Sequence, residues 1–250
     1  MKLLFLLALA VLPSFAAETY APFRADLPAG AAYALDARQL HPTQFAHGWR
    51  EVVHKTAKID GMTPAKLAAY LKDKDVPVVI GPGGVPYMTD GHHTLRALIE
   101  SKAADKTAYG HILANWSGLT PAEFWSRMAA SNYAYLKDAT GRRQPPEALP
   151  ATLLTMQRDP WRGLAWGVME AGGFKERKDV FFQEFRWADY FRDQVQWDDA
   201  NDGAFEDAVA AACDLAQAPA AAALPGYRPQ AFQPRVVTEP TKHDTDDPAI

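Results

Sequence analysis

The segment VPVVIGPGGVPYMTDGHHTLRALIES, residues 76–101, constrains the fold more than any other part of the sequence. A run of β-branched residues ends in a glycine-rich turn at 81–84, and a second short run returns from that turn. Gly91 separates the second run from a helical pattern that begins at His92 and ends near Lys102. We therefore predict a buried strand, a tight turn, a returning strand and a helix that begins abruptly after Gly91.

Polar side chains are concentrated around Gly91, at the predicted start of this helix. The first backbone N–H groups of a helix have no partner within it, and the helix dipole favours an anion there. Glycine also lets the backbone approach a ligand without a Cβ in the way. We predict a site for phosphate or another oxyanion in which His92 or His93 acts as general acid or base and Asp90 orients a histidine or a divalent ion. The predicted phosphate ligands at this turn are Gly91, Thr94 and Arg96.

Simpler structural explanations of several candidates remain open. Asp90 then only caps the helix, and His92 only hydrogen-bonds a neighbouring loop. Glu51 and Lys55 are four positions apart on another predicted helix, a spacing typical of a surface ion pair. They join the site only if that helix faces Gly91, in which case Glu51 is a candidate base and Lys55 a candidate phosphate ligand.

Two further motifs give weaker signals. The sequence GPGG at 81–84 lacks the Lys-Ser/Thr that follows in phosphate-binding loops, so a hairpin turn is the better interpretation. His41, His47 and His54 are six and seven positions apart, which matches no recognised zinc-ligand spacing. We therefore predict no metal ligands from these motifs, while a divalent ion at the phosphate site remains open.

The pattern of apolar residues divides the chain into two parts. Residues 31–132 mix strands and helices, whereas residues 151–217 show helices only, and a proline-rich connection at 140–150 joins them. This order favours an α+β fold, a small mixed sheet with helices, followed by a packed all-helical C-terminal half. The alanine- and proline-rich residues 218–250 are predicted to be a disordered tail.

Individual elements of the first part have clear local signals. Threonine-proline pairs at 63–64 and 120–121 are typical of an N-cap and a first helical residue. The other predicted elements are a short strand within 31–44 that turns at His41-Pro42, a helix at 48–59 and a strand at 109–116.

The N-terminal residues 1–17 have the pattern of a secretory signal peptide. Lys2 precedes a short apolar run, and small residues follow it, so we expect cleavage after Ala16 or Ala17 and a periplasmic or secreted protein. A retained membrane anchor is the alternative, although no stop-transfer pattern follows. The single cysteine, Cys213, excludes an intramolecular disulfide and lies on an apolar helical face, which predicts a buried thiol.

The formal net charge of −4 becomes −5 without Lys2. A mildly acidic chain provides no broad basic surface, so any phosphate contact should be local. This composition does not exclude binding of nucleic acid or nucleotides.

At DGHHTLRAL, residues 90–98, the sequence resembles the ParB/sulfiredoxin superfamily and within it the ParB-like nuclease family. The likeness extends to LHPTQFAHGWREV, to the central strand pair and helix, and to LPATLLTMQRDPWRGLAWGVMEAGGF and FQEFRWADYFRDQV. It covers residues 31–195.

The resemblance implies a small α+β domain whose glycine loop and following helix hold nucleotide phosphates. Gly91 matches the glycine of that loop, and His92 stands where sulfiredoxin-like members have a reactive cysteine, so peroxiredoxin repair is not expected. His93 and Thr94 replace the arginines of partition proteins, which argues against a CTP-switched DNA clamp. A free serine kinase of the superfamily has a similar loop with a glutamate base, a role that Glu51 would fill.

Two functions follow as hypotheses. The first is an exported phosphodiester hydrolase, a nuclease by family analogy, that acts on nucleic acid or nucleotides. The alternative is a non-catalytic nucleotide- or phosphate-binding module, or a kinase-like phosphotransferase of the same superfamily. A separate structural prediction is that the helices of residues 151–217 pack on the first part as one continuous domain. If the two parts share a core, Glu51 and Lys55 should approach Gly91 and His93 across a cleft.

Overall fold

The structure is a computed structural model in which residues 19–229 are described. The predicted signal peptide lies outside these residues. The strands are β1 (Ala21–Pro22), β2 (Ala32–Asp36), β3 (His41–Pro42), β4 (Ala46–His47), β5 (Val78–Ile80), β6 (Pro86–Met88), β7 (Thr107–Asn115) and β8 (Gln157–Arg158). The helices are α1 (Trp49–Asp60), α2 (Pro64–Asp73), α3 (His92–Glu100), α4 (Pro121–Ala130), α5 (Pro160–Glu170), α6 (Gln183–Arg192) and α7 (Asp202–Gln217).

Six of the strands form one mixed sheet in the order β1-β2-β7-β5-β6-β3. The predicted strand pair is the antiparallel hairpin β5–β6, and its turn is a short 3-10 segment at Pro82–Gly84. Strand β7 lies parallel to β5 and antiparallel to β2, which makes the sheet mixed. The predicted α+β class is therefore confirmed.

Both threonine-proline pairs lie at helix starts, as predicted. Thr63 accepts a hydrogen bond from the N–H of Lys66 at the start of α2. Thr120 and Glu123 form a reciprocal capping box at the start of α4, with Pro121 at the first helical position. These helices begin where predicted because both signals act within one turn of the chain.

The described residues form two large apolar cores and a smaller cluster around Phe124, and Leu153 and Met156 of the second part belong to the first core. The first core lies between the sheet and the helices α1, α2 and α3, and the second lies among α5, α6 and α7. Cys213 is fully buried in the second core, as predicted, and burial raises the pKa of its thiol to about 12. The parts also pack closely at Gly48 and Gly163, where a Cβ on Gly48 would lie 2.8 Å from the Cα of Gly163.

Two expectations for the second half are wrong. Residues 151–217 are not helical throughout, because β8 pairs in parallel with β4 of the first half. The predicted tail also begins too early, since Pro219–Ala221 form a 3-10 turn. The carbonyl of Pro225 accepts hydrogen bonds of 2.9 Å from both Gln183 and Trp187. This part of the tail is ordered because it satisfies buried donors of α6, and residues 230–250 lie outside the described chain.

Within residues 19–229, none of the helices combines the length and the apolar character that crossing a membrane requires.

Candidate functional site

The site begins at Gly91, which separates β6 from α3. Its φ of 85° is left-handed, and no side chain caps the helix. The Asp90 carboxylate accepts a hydrogen bond of 2.6 Å from the Gly91 N–H, so it does not reach the first turn of the helix. Within the described residues, the backbone N–H groups of His92, His93 and Thr94 donate no hydrogen bonds. The start of α3 therefore has three free donors.

Both predicted histidines are buried and held by backbone groups. The Nε2 of His92 accepts a hydrogen bond of 3.1 Å from the N–H of Thr43. The Nε2 of His93 accepts one of 3.0 Å from the N–H of Gly48. A neutral imidazole that accepts at Nε2 carries its proton on Nδ1. Each ring therefore ties α3 to the 43–48 segment and can offer only an Nδ1–H donor.

The electrostatics keep these rings neutral. Burial lowers the pKa of His92 to about 3, with a further contribution from His47 and Arg162. Burial, followed by Arg162, lowers the pKa of His93 well below its usual value, against the opposing effect of Glu51. Rings that stay unprotonated near neutral pH are not ready proton donors, so these contacts do not support a general acid role, whereas the base role stays a prediction.

Glu51 lies beneath the start of α3 in a buried group of charges. Its carboxylate is 2.6 Å from Nζ of Lys55, 3.0 Å from Nη1 of Arg162 and 3.6 Å from Nε2 of His93. Lys55 also donates a 3.2 Å hydrogen bond to Thr94, and Arg162 a 3.2 Å one to Glu184. Glu51 is only 5% exposed, so a surface ion pair is the wrong description.

The charge states within this group follow from its contacts. Burial opposes ionisation of Glu51, but the positive charges of Arg162 and Lys55 outweigh it and hold the pKa of this carboxyl well below its usual range. Glu51 is therefore ionised. Arg162 is 4% exposed. Its Nε and Nη1 make no hydrogen bond of acceptable geometry with the described residues, and neither does Oε2 of Glu51. Nη1 of Arg162 and Oε2 of Glu51 are paired as ions, and Nε of Arg162 keeps a donor that a ligand or water can use.

These residues line one cleft with a volume of about 520 Å³. Its floor contains Asp90, Gly91 and the first turn of α3. Its basic lining residues are Lys55, Lys58, Lys74, Arg162, Arg177 and Lys178, and its acidic ones are Glu51, Asp73, Asp90, Glu170, Glu176 and Glu184. The predicted approach of Glu51 and Lys55 to the Gly91 turn is present in this arrangement.

Asp90 takes a different place from the one its predicted role needs. The residue is exposed at the cleft, where it is part of the lining. Its described hydrogen bond is to Gly91 rather than to a histidine. The structure therefore supports Asp90 as a local turn-forming residue and as part of the lining.

Arg96 does not reach the cleft. Its Nε and Nη2 donate to Glu100, its Nη1 donates to the carbonyl of Leu153 at 2.6 Å, and its guanidinium lies over Trp49. One helical turn carries Arg96 away from the free N–H groups and onto the connection at 153–156. Its donors hold that connection instead of a phosphate.

The three histidines of the weak zinc motif lie beside different partners. His41 contacts Tyr87, His47 lies between Trp49 and His93, and His54 contacts Trp166. In the part of the chain that the structure describes, no three or more His, Cys, Asp or Glu side chains are grouped so that they would hold a metal ion. His47 is 1% exposed, and neither ring nitrogen has a hydrogen bond among these residues.

Arg162 is the residue that sequence reasoning missed. It lies 71 positions after Gly91, on the first turn of α5, which Asp159 caps through the N–H groups of Trp161 and Arg162. The available signal was an arginine within the otherwise apolar helix PWRGLAWGVM. A charged residue on such a helix requires a partner when the helix is buried.

The comparisons agree with this architecture. The family model described as "Putative ParB-like nuclease" matches residues 33–193. The crystal structure of protein Atu1540 from Agrobacterium tumefaciens is similar to this chain, with a TM-score of 0.68 and 33% identity. The likeness covers 79% of this chain and 97% of that chain. The comparison with curated proteins gives no match. Since the family model spans the sheet, the Gly91 turn and the helices of the cleft, the chain belongs to the ParB-like nuclease family.

Proposed function

We propose that this chain is a phosphoester hydrolase that binds one phosphate group at the start of α3. The observation that carries the proposal is the set of three free backbone N–H groups beside a buried, incompletely hydrogen-bonded Arg162. Helix N-termini bind phosphate through such N–H groups. Lys55 and the Nδ1–H groups of His92 and His93 supply further donors.

In the proposed reaction, Glu51 is the base and the bound phosphate is the electrophile. Water attacks phosphorus, its proton passes to Glu51, and the bond from phosphorus to the ester oxygen breaks. Arg162, Lys55 and the backbone N–H groups stabilise the charge that develops on phosphate oxygens. The leaving oxygen takes a proton from solvent at the cleft mouth.

Phosphate binding also prepares the base. In the ligand-free site, Lys55 and Arg162 stabilise the ionised form of Glu51 and make it a weak base. A phosphate competes for the same two cations, so the pKa of Glu51 rises when the substrate is bound. The base therefore becomes stronger only in the complex.

The test is Glu51→Gln, which keeps an oxygen for Lys55 and leaves Arg162 paired with Glu184. We expect kcat for a chromogenic phosphodiester to fall by about 10²- to 10⁴-fold, the usual range for loss of a general base. The variant should still bind phosphate, as measured by calorimetry. Glu206→Gln, an exposed position on α7 outside the cleft, is the control. Unchanged turnover in Glu51→Gln would exclude this mechanism.

A non-catalytic phosphate- or nucleotide-binding module is the second candidate. The low pKa of Glu51 and the two neutral histidines favour it, because they provide binding groups and only a weak base. A thermal-shift series with phosphate and nucleotides, with and without divalent ions, would show stabilisation by ligand. Stabilisation without any product would select this candidate over the hydrolase.

The kinase-like phosphotransferase and the periplasmic or secreted location also belong to this proposal. A transferase would release phosphorylated product only when a nucleotide donor is added, whereas a hydrolase needs none. The signal-peptide pattern of residues 1–17 supports export. Mass spectrometry of the protein from cell fractions should find a new N-terminus after residue 16 or 17.

A further inference from the structure

The cleft is bounded by two helical faces that run outward from the phosphate site. On α1, Glu51, Lys55 and Lys58 recur at a spacing of three or four positions, which places them on one face. On α5, Arg162 and Trp166 are four positions apart, so the indole lies one turn beyond the guanidinium. A ligand whose phosphate contacts Arg162 therefore has Trp166 next to its organic part.

Aromatic side chains form much of the remaining wall. Phe181, Phe182 and Phe185 line the cleft from the segment before α6 and from its first turn, and Tyr70 lines it from α2. Phe182 adopts a left-handed backbone conformation with φ of 58°, which is unusual for a phenylalanine. Aromatic faces bind flat groups by offset stacking. A phosphate held at the cleft floor would therefore place a flat group among these rings.

The size and charge of the cleft disfavour a polymer duplex. Its volume of about 520 Å³ falls within the range of small-molecule sites. Duplex DNA is bound through a row of phosphate contacts on a basic surface. Here the lining has equal numbers of acidic and basic residues, and the histidines at the floor are 3% and 7% exposed.

We infer that the site takes a small phosphoester with one flat, aromatic organic group and excludes duplex nucleic acid. The inference rests on the proposed function for the place of the phosphate, and it adds the substrate class. Arg162 and the α3 N–H groups hold the phosphate, and Trp166 with the phenylalanine wall selects the organic part. On this inference, the chain does not cleave duplex nucleic acid, although its family is described as nuclease-like.

The first experiment compares ligands on the whole chain by calorimetry and by product formation. Phenyl phosphate should bind at least about tenfold more tightly than inorganic phosphate, because the ring adds stacking contacts. Methyl p-nitrophenyl phosphate, a diester with one aromatic group, should be hydrolysed. A DNA duplex of about 20 base pairs should be neither bound comparably nor cut. Equal or tighter binding of the duplex, or no gain from the phenyl ring, would overturn the inference.

The outcomes separate the two proposals. Preferential binding of phenyl phosphate without hydrolysis of any ester keeps the substrate class and removes the hydrolase. Cleavage of the duplex at a rate comparable to that of the small ester keeps the hydrolase and removes the substrate class.

A substitution tests the aromatic wall directly. Trp166→Leu should weaken phenyl phosphate binding by roughly fivefold or more, since stacking on an aromatic side chain typically contributes that much. Affinity for inorganic phosphate should stay within about twofold, because the helix start does not change. Trp125→Leu replaces a half-buried tryptophan of α4 outside the cleft lining and controls for general loss of packing. An equal loss for both ligands in Trp166→Leu would contradict the assigned role.

Discussion

Helices α3 and α4 both follow strands of the same sheet, yet their first turns are completed in different ways. At α4, Thr120 and Glu123 satisfy each other's backbone N–H groups, and Pro121 has no N–H to satisfy. At α3, Gly91 offers no side chain, and three N–H groups stay free beside Arg162 and Lys55. Among the described residues, the α4 start leaves only the N–H of the exposed Ala122 without a partner, whereas the α3 start leaves three N–H groups at the cleft.

The difference extends to what holds each helix in place. The side chains of the α3 first turn accept backbone N–H groups from the distant residues 43 and 48, while those of α4 bond only locally. In α3 the histidines therefore replace a cap as structural ties and leave the helix's own donors for an anion. A helix start that has no cap but has buried cations beside it is a candidate anion site.

The largest expected difference between the α3 and α4 helix starts is how much folding stability each loses as the pH falls. In the folded state the pKa of His92 is about 3, against about 6.5 when unfolded. The unfolded chain then binds more protons between these values, so stability falls as pH drops below 6.5. This one group should cost roughly 2 kcal/mol between pH 7 and pH 5. Urea unfolding at the two pH values measures the loss.

His92→Gln is the matched variant for this prediction. A glutamine oxygen can accept the N–H of Thr43 but does not titrate, so the loss between pH 7 and pH 5 should be smaller by roughly 2 kcal/mol. At α4, the hydrogen bonds from Thr120 lower the pKa of Glu123, so that start should weaken only at pH below about 4.5. The same pH dependence in wild type and His92→Gln would show that His92 is not buried and neutral.

Gly91→Ala should produce the next largest effect. A left-handed alanine costs about 1–2 kcal/mol, and its Cβ would lie 3.2 Å from a methyl of Val76. Gly30→Ala is the control, because Gly30 has a φ of 83° but no atom within 4 Å of the added Cβ. The excess loss of unfolding free energy at Gly91 over Gly30 measures the packing at the turn. Phosphate affinity should fall only in Gly91→Ala.

Thr120→Ala should have the smallest effect. Removing this cap costs about 1 kcal/mol in a typical helix. Because the α4 start lies outside the cleft, phosphate affinity should be unchanged within error. A coupled change in phosphate affinity and stability would mean that the two helix starts are not independent.

Local signals were sufficient for much of the fold. The Gly91 turn and the Thr-Pro helix starts were predictable because their determinants lie within a few residues of each other. The two-residue pair β4–β8 was not, since no periodicity exists in so short a strand and its partner is 111 positions away, from residue 46 to residue 157.

The site was predictable only in part for the same reason. The positions of Gly91, His92 and His93 followed from the helix start, but the direction of Arg96 depended on the connection at 153–156. Arg162 reaches the site because α5 packs against α1, and this contact cannot be predicted from the sequence around either helix. The proximity of Glu51 to the turn depends on the packing of α1 against α3, two helices that are also distant in sequence.

The most direct test of the central claim is the backbone amide spectrum of the whole chain during titration with inorganic phosphate. If the α3 start is the anion site, the amides of His92, His93 and Thr94 should shift strongly and saturate together, while that of Glu123 at the α4 start stays in place. Shifts at α4 alone, or none at the three α3 amides at saturating phosphate, would contradict it.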